Sequence, residues 1–394
     1  MINVATAFNT SRYALIGPSK NINRLYSNKN VFEEEGIRLI GPFCPNQGFT
    51  DAQEYQKSKS FGVKKRVKGI LRRSYIGSLA LFGLTNVRLS RKVVREVSES
   101  KEPIDLIVFR ESVTAYEYVK AGGGRPYVLV LHCDGTNEMM FSNSSYPKLK
   151  HGFGRKMLDD VFNTACENAS GILFLSNGAI ENFKKKGTPS KGVFGVYHQG
   201  VGKPDCRVPI SVKADEGGLV FVTVGSICER KNQKELIEAF GETAHSASKL
   251  IVVGDGDQLE DCRRLAAELD IADRVIFTGA LNNVGEALSV ADVFVSASLD
   301  EGVPNAAVEA MSYGLPLLLT DVGFCSDLIR GNGILMRRPF DFVDGINAIM
   351  ESDLNRMGER SLELYSRHYT IENMCREHAT MYKRAMECAA RSDS

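Results

Sequence analysis

Short continuous apolar runs recur along the chain, separated by stretches in which apolar positions return every three or four residues. In the first half the runs are INVATAF (2–8), IRLIG (37–41), IDLIVF (104–109), YVLVLH (127–132), GILFLS (171–176) and VFGVYH (193–198). In the second half they are LVFVTVG (219–225), LIVVG (250–254), RVIFTG (274–279), ADVFVSAS (291–298), LPLLLTD (315–321) and GILM (333–336). Runs without polar alternation belong to strands buried on both faces, and the intervening period is helical. Such alternation predicts parallel sheets covered by helices on both sides. Two sets of runs predict an α/β chain of two Rossmann-like domains. The stretch GKPDCRVPISVKADEGG (202–218) combines Pro, Gly and charge and reads as the linker. The last periodic segment, Ile371 to Ala390, is a helix with no strand after it. These marks divide the chain into 1–202, 203–370 and a terminal helix, 371–394.

In open parallel sheets, ligands bind beyond the carboxyl ends of the strands. Four strand ends of the second half lead into SICERKNQ, DGDQLE, LDEGVPN and DVGFCSD, each rich in Gly, acid or base. In SLDEGVPNAAVEAMSYGLPLLLTD (298–321), Glu301 and Glu309 are eight positions apart. Gly302 permits backbone angles that other residues avoid. Pro304 suits the first position of a helix over Asn305 to Ser312, and Gly314 and Pro316 stop it. Glu301 is therefore expected in the loop before the helix and Glu309 inside it. A helix N-terminus suits phosphate, and carboxylates accept from vicinal sugar hydroxyls. The combination predicts a nucleotide-sugar site.

GSICERKNQKELIEAF (225–240) ends a strand and opens a helix, with Arg230 and Lys231 expected at its start. The helix dipole disfavours cations there, so they are expected to share an anion with that terminus. Asp255 and Asp257 have the spacing to hold Mg²⁺ under a diphosphate, but are expected instead to form the turn and N-cap of QLEDCRRLAAEL. With two cations at hand, neither metal nor other cofactor is expected.

These motifs carry a resemblance. From Val224 to Gly323 the chain closely resembles the nucleotide-sugar domain of the retaining glycosyltransferases of family 4, including their Glu-x7-Glu pair. The resemblance implies a GT-B fold, with two Rossmann-like domains facing across a cleft and a terminal helix crossing back to the first. It implies that Glu309 binds the ribose hydroxyls and that Glu301 contacts the donor sugar near its C3 and C4 hydroxyls. Lys231 and Arg230 would bind the diphosphate, and the backbone of Gly302, Val303, Pro304 and Asn305 would hold phosphate and sugar. Where many members have Gly-Arg, this chain has Gly225-Ser226. Ser226 is kept as a donor contact, and Arg230 is expected to replace the missing Arg, a pattern similar to lipopolysaccharide-core glucosyltransferases. The first half resembles the family more weakly. Gly17, Pro18 and Ser19 stand where a glycine-rich loop is expected, Gly17 toward the donor and Ser19 toward the acceptor. His132 ends its strand where the family often has a His reaching the donor sugar, and Asp134 is an acceptor candidate.

Charge adds a second theme. Residues 1–200 hold 29 Lys and Arg against 17 Asp and Glu, a balance of +12, whereas residues 201–394 hold 20 against 31, a balance of −11. Between Lys57 and Arg73 there are eight basic residues and no acid, followed by the apolar segment Tyr75 to Leu84. Such a pair suits an anionic membrane surface. No basic motif interleaved with aromatics supports a nucleic-acid partner. Nine scattered cysteines without a CxxC pair suit a reducing compartment. No apolar run approaches the roughly 20 residues of a spanning helix. The expectation is a cytoplasmic hexosyltransferase, peripheral on the inner face of the membrane. It would move a sugar, from a UDP-sugar by preference, to a lipid-linked glycan or surface-polysaccharide intermediate. The alternatives are a non-hydrolysing nucleotide-sugar epimerase and a catalytically silent nucleotide-sugar-binding protein.

Overall fold

A computed structural model of the chain describes residues 1–7, 18–43, 71, 73–141, 146–205, 208–243, 245–337 and 341–392. Each of the twelve apolar runs contains a strand: β1 (Ile2–Ala7), β2 (Ile37–Phe43), β3 (Leu106–Phe109), β4 (Tyr127–Val130), β5 (Gly171–Phe174), β6 (Val193–Val196), β7 (Val220–Val224), β8 (Lys249–Val253), β9 (Val275–Gly279), β10 (Val293–Ser296), β11 (Leu317–Thr320) and β12 (Gly333–Met336). They form two six-stranded sheets, ordered β2-β1-β3-β4-β5-β6 and β12-β11-β10-β7-β8-β9. All pairings are parallel, and each sheet is Rossmann-like.

The second sheet shows why the runs do not alternate. Val222, Ile251, Leu317 and Leu319 pack into one core, and Phe221, Leu250, Val252 and Leu318 into another. Neighbouring residues point to opposite faces, and helices cover both, so the central positions of these strands are apolar in succession. Truncating such a side chain to Ala costs about 2–5 kcal/mol.

Contacts divide the chain into one unit of Met1–His198 with Met374–Ser394 and a second of Gln199–Asn373. The boundaries read from sequence, at 202/203 and 370/371, lie within a few residues of these. The stretch 202–218 has neither helix nor strand among its described residues, but it is not a free tether. Ile210 N donates to Glu286 O at 3.0 Å, and Ile210, Val212 and Ala214 pack on the core of the second unit. The terminal helix Ile371–Ser392 starts in the second unit and runs in the first, where Tyr382 stacks on Phe32 at 6.1 Å and Lys383 pairs with Glu35 at 2.6 Å.

Strand order fixes where each sheet can receive a ligand. Connections leave β1 toward β2 on one side and reach β3 on the other; likewise β8 and β10 flank β7. The crevices of parallel sheets open at such reversals, beyond the strand carboxyl ends. In the second unit that point lies between the loops after β7 and β10. In the first, it involves the loop after β3.

Candidate functional site

At the reversal of the second sheet, the loops after β7 and β10 meet. The first runs from Gly225 through a short 3-10 turn, Glu229–Lys231, to Asn232 in the left-handed conformation (φ 57°), and then into the helix Gln233–Glu242. Arg230 and Lys231 thus precede the helix rather than open it, correcting the sequence expectation. They have a local partner as well. Glu301 Oε1 is ion-paired with Lys231 Nζ, Oε2 lies 3.4 Å from Arg230 Nη1, and Ser298 Oγ donates to Oε1 at 2.8 Å. Arg230 Nη1 also donates to Asp300 O at 2.7 Å, and Leu299 N to Arg230 O at 2.8 Å. The side chain of Glu301 is 8% exposed, that of Lys231 17% and that of Arg230 48%. A carboxylate so deep needs its counter-ions, because an unpaired buried charge is costly. Ser226 contributes its carbonyl, which accepts from Gln233 Nε2 at 3.0 Å.

Close approach of these loops depends on glycine. A Cβ on Gly254 (φ +139°) would lie 1.8 Å from the carbonyl oxygen of Gly225, and one on Gly323 (φ +56°) 1.8 Å from that of Glu301. Gly323 therefore sets the position of Glu301 from the loop after β11, and Phe324 N donates to Gly302 O at 3.3 Å. Gly302 itself is not in the left-handed region, so conformational freedom is not its role. A Cβ there would meet nothing within 4 Å; the residue leaves open space beside Glu301.

Val303 leads to Pro304, which is the N-cap residue of the helix Asn305–Met311, one place before the position expected for it. Asn305 Oδ1 accepts from Gln199 Nε2 at 2.5 Å. Glu309 lies inside this helix, half-buried, and its carbonyl accepts from Ser312 Oγ. Gly314 (φ +75°) ends the segment, as its position predicted.

Asp255 and Asp257 do not cap the next helix. Gln258 is the N-cap residue of Leu259–Glu268, and the Asp255 carboxylate accepts from Gly256 N at 2.7 Å. Among the described residues, no group of three or more His, Cys, Asp and Glu is placed to hold a metal ion. Sequence reasoning passed over Ser298, Gln199, Gly323 and Cys325. Cys325 is buried beside this site; burial and the Glu301 carboxylate push its thiol up to about 12, and Lys231 opposes the rise.

The remaining candidates belong to the first unit. His132 follows β4, and its Nδ1 lies 2.8 Å from the Tyr197 hydroxyl. Burial, and then the charge of Arg110, push its pKa well below the ordinary value, so the ring is neutral. Its Nε2 is sequestered without a hydrogen-bond partner among the described residues. Asp134 makes a local turn, accepting from Thr136 N at 3.0 Å and Thr136 Oγ1 at 2.7 Å. Ser19 lies in the helix Pro18–Ser27, and Gly17 falls outside the described residues.

Residues 209–364, most of the second unit, match the family of glycosyl transferases group 1. The chain is 24% identical over 237 residues to an N-acetyl-alpha-D-glucosaminyl L-malate synthase of Bacillus anthracis, covering 57% of this chain and 62% of that one. It is 35% identical over 220 residues to a 2-deoxystreptamine glucosyltransferase of Streptomyces kanamyceticus, covering 52% and 55%. In each case the match spans less than two thirds of the relative. Among solved structures, HepE of Anabaena in complex with UDP and glucose has a TM-score of 0.64 at 17% identity, covering 96% of this chain and 99% of that one. That likeness extends the two-domain fold over both units.

Proposed function

We propose that this chain, whose residues 209–364 match the glycosyl transferases group 1 family, transfers a sugar, with retention, from a nucleoside diphosphate to an acceptor hydroxyl. The observation that carries the reading is the convergence of Lys231, Arg230 and Glu301 at the reversal point of the second sheet. Two cations neutralise the charge that builds on a departing diphosphate, and a fixed cation does so with little reorganisation. In the ligand-free site they are held by Glu301. An arriving diphosphate competes for them and releases the carboxylate oxygens to accept from hydroxyls of the donor sugar. Glu309 accepts from the ribose hydroxyls, and the backbone from Gly302 to Asn305 lines the phosphate and sugar. With its oxygens accepting from Ser298 and from hydroxyls of the donor sugar, Glu301 is a poor nucleophile, which favours front-face attack with a donor phosphate oxygen taking the acceptor proton. His132, neutral, offers Nε2 to a substrate hydroxyl. UDP is the preferred nucleotide, supported by its presence in the HepE complex. The acceptor differs between the two relatives, whose names give L-malate in one and 2-deoxystreptamine in the other.

Labelled UDP-sugars test the reading directly. Transfer with retained anomeric configuration supports it, isomerised donor would indicate an epimerase, and neither would indicate a binding protein. The two glutamates should then separate. Glu309→Ala is expected to weaken UDP by roughly 10- to 100-fold, the loss of charged hydrogen bonds worth about 1.5–3 kcal/mol. Glu301→Ala should spare UDP and lower turnover of the intact donor. Titration calorimetry with UDP, set beside kinetics, decides it; equal losses of UDP affinity in both variants would reverse the assignment.

The acceptor is proposed to be lipid-linked, met at an anionic membrane surface on the cytoplasmic side. The segment after the basic run forms the helix Tyr75–Phe82, which continues through a π turn, Gly83–Val87. Leu81 and Phe82 are core, whereas Ile76 (79%), Leu84 (58%) and Phe153 (69%) are exposed. Phe153 stands beside this helix, since Gly154 N donates to the Tyr75 hydroxyl at 2.6 Å. Exposed Arg73 and Arg88 flank the apolar residues. Of the basic run, 57–70 and Arg72 lie outside the described residues. No helix among the described residues is long and apolar enough to cross a membrane. Vesicle co-sedimentation should show binding that needs anionic lipid, weakens with salt, and falls when Ile76, Leu84 and Phe153 become Ser or when Lys64, Lys65, Arg66, Arg72 and Arg73 become Gln. Equal binding to neutral vesicles would point to a soluble acceptor.

A further inference from the structure

Arg110 follows β3 directly, at the carboxyl end of the strand and at the reversal point of the first sheet. It is 3% exposed. All three guanidinium nitrogens are shut off from solvent and, a weak contact with the neutral Tyr197 hydroxyl aside, have no hydrogen-bond partner among the described residues. A buried guanidinium normally holds a carboxylate or several carbonyls, because its five N–H donors lose their water on burial. Here the groups that feel its charge are Tyr26, Tyr197, Tyr382, His132 and His378. None is an anion. Burial pushes the Tyr26 and Tyr197 hydroxyls up to about 12 and Tyr382 higher still, and pushes both imidazoles down, so all are neutral at pH 7. The neighbouring carboxylate, Glu111, accepts from Thr114 Oγ1 at 2.7 Å. His132 Nε2 and His378 Nε2 are likewise buried without partners among the described residues. The end of β3 therefore holds a cation without a counter-ion among the described residues, and the unpaired nitrogens of His132 after β4 and His378 on the terminal helix lie within reach of its charge, where the topology of the sheet places a ligand.

We infer that Arg110 receives an oxyanion, a carboxylate or a phosphate, carried by the acceptor substrate. The assignment to the acceptor rests on the glycosyltransferase reading, in which Arg230 and Lys231 of the other unit already serve the donor diphosphate. A planar fork of donors matches an oxyanion in two parallel hydrogen bonds, which a Lys in that place does not. The acceptor is thus an acidic molecule, and its acidic group enters beside His132.

Thermal melts of the full chain test this with inorganic phosphate, malonate and UDP as probes, against chloride at matched ionic strength. Wild type should show a saturable rise in Tm with phosphate or malonate, and which of the two is effective tells a phosphorylated acceptor from a carboxylic one. Arg110→Met should melt in chloride at or above wild type, since it removes an unpaired buried charge, and should weaken the anion response at least tenfold. Arg110→Lys should give an intermediate response. The UDP shift should be the same in wild type and Arg110→Met. The inference is overturned if wild type shows no saturable response, if Arg110→Met keeps it, or if Arg110→Met melts well below wild type and so marks a structural arginine. Loss of the UDP shift on Arg110→Met would give the anion to the donor and also overturn it. A wild type that ignores UDP counts against the glycosyltransferase reading, whatever the anion response.

Discussion

Replacing Arg230 and Lys231 together by Ala should lower sugar transfer by roughly 10²- to 10⁴-fold, while chelator leaves the wild-type rate unchanged. The magnitude follows from two charge-assisted contacts to the diphosphate at about 1.5–3 kcal/mol each. Part of the loss is indirect. Glu301, 8% exposed, would lose both counter-ions and stand as an uncompensated carboxylate. The single changes should differ accordingly. Lys231→Ala removes the deeper cation and should lower Tm, whereas Arg230→Ala, at 48% exposure, should act mainly on turnover. Rates with and without EDTA, alongside melting curves, separate these effects. A strict need for Mg²⁺ would return the diphosphate to Asp255 and Asp257.

Gly323→Ala should be nearly as damaging without touching a charged group. The added Cβ would come within 1.8 Å of the Glu301 carbonyl oxygen, with the residue held at φ +56°. Both the left-handed backbone and the contact with main chain oppose it, and the Glu301 loop must give way. A displacement of about 1 Å at a reacting group costs on the order of a hundredfold in rate. We expect kcat/KM to fall by about that factor and Tm to drop, with UDP affinity less affected, because Glu309 is carried by a separate helix. Full turnover in this variant would show that Glu301 tolerates movement and does not set the donor geometry.

Much of this was legible in the sequence. The twelve apolar runs coincide with the twelve strands of the described residues, because a strand covered on both faces is apolar at successive central positions, and that demand is local. Strand ends marked by Gly, acid and base fell at the correct edge of the second sheet. Errors came where one residue decides a boundary: Pro304 caps its helix instead of starting it, Gln258 instead of an Asp caps the next, and Arg230 and Lys231 stand in a turn before theirs. Caps compete within a few tenths of a kilocalorie among neighbouring candidates, and tertiary contacts choose between them. The freedom ascribed to Gly302 belongs to Gly323, twenty-one positions later, because only the meeting of two loops makes a Cβ intolerable there.

The sequence by itself determined the two sheets, their helices, the loops that carry Glu301, Arg230 and Lys231, and the family motifs, since each depends on residues close together in the chain. Tertiary structure alone decided the pairing of Lys231 with Glu301 across seventy positions. That pairing exists because β10 lies beside β7, and strand order is settled by packing both faces of the whole sheet rather than by any one segment. It alone decided Arg110 as well. An arginine after a strand looks like an ordinary surface cation until neighbouring strand ends and the terminal helix enclose it, and a charge becomes costly, and so informative, only once water has been removed.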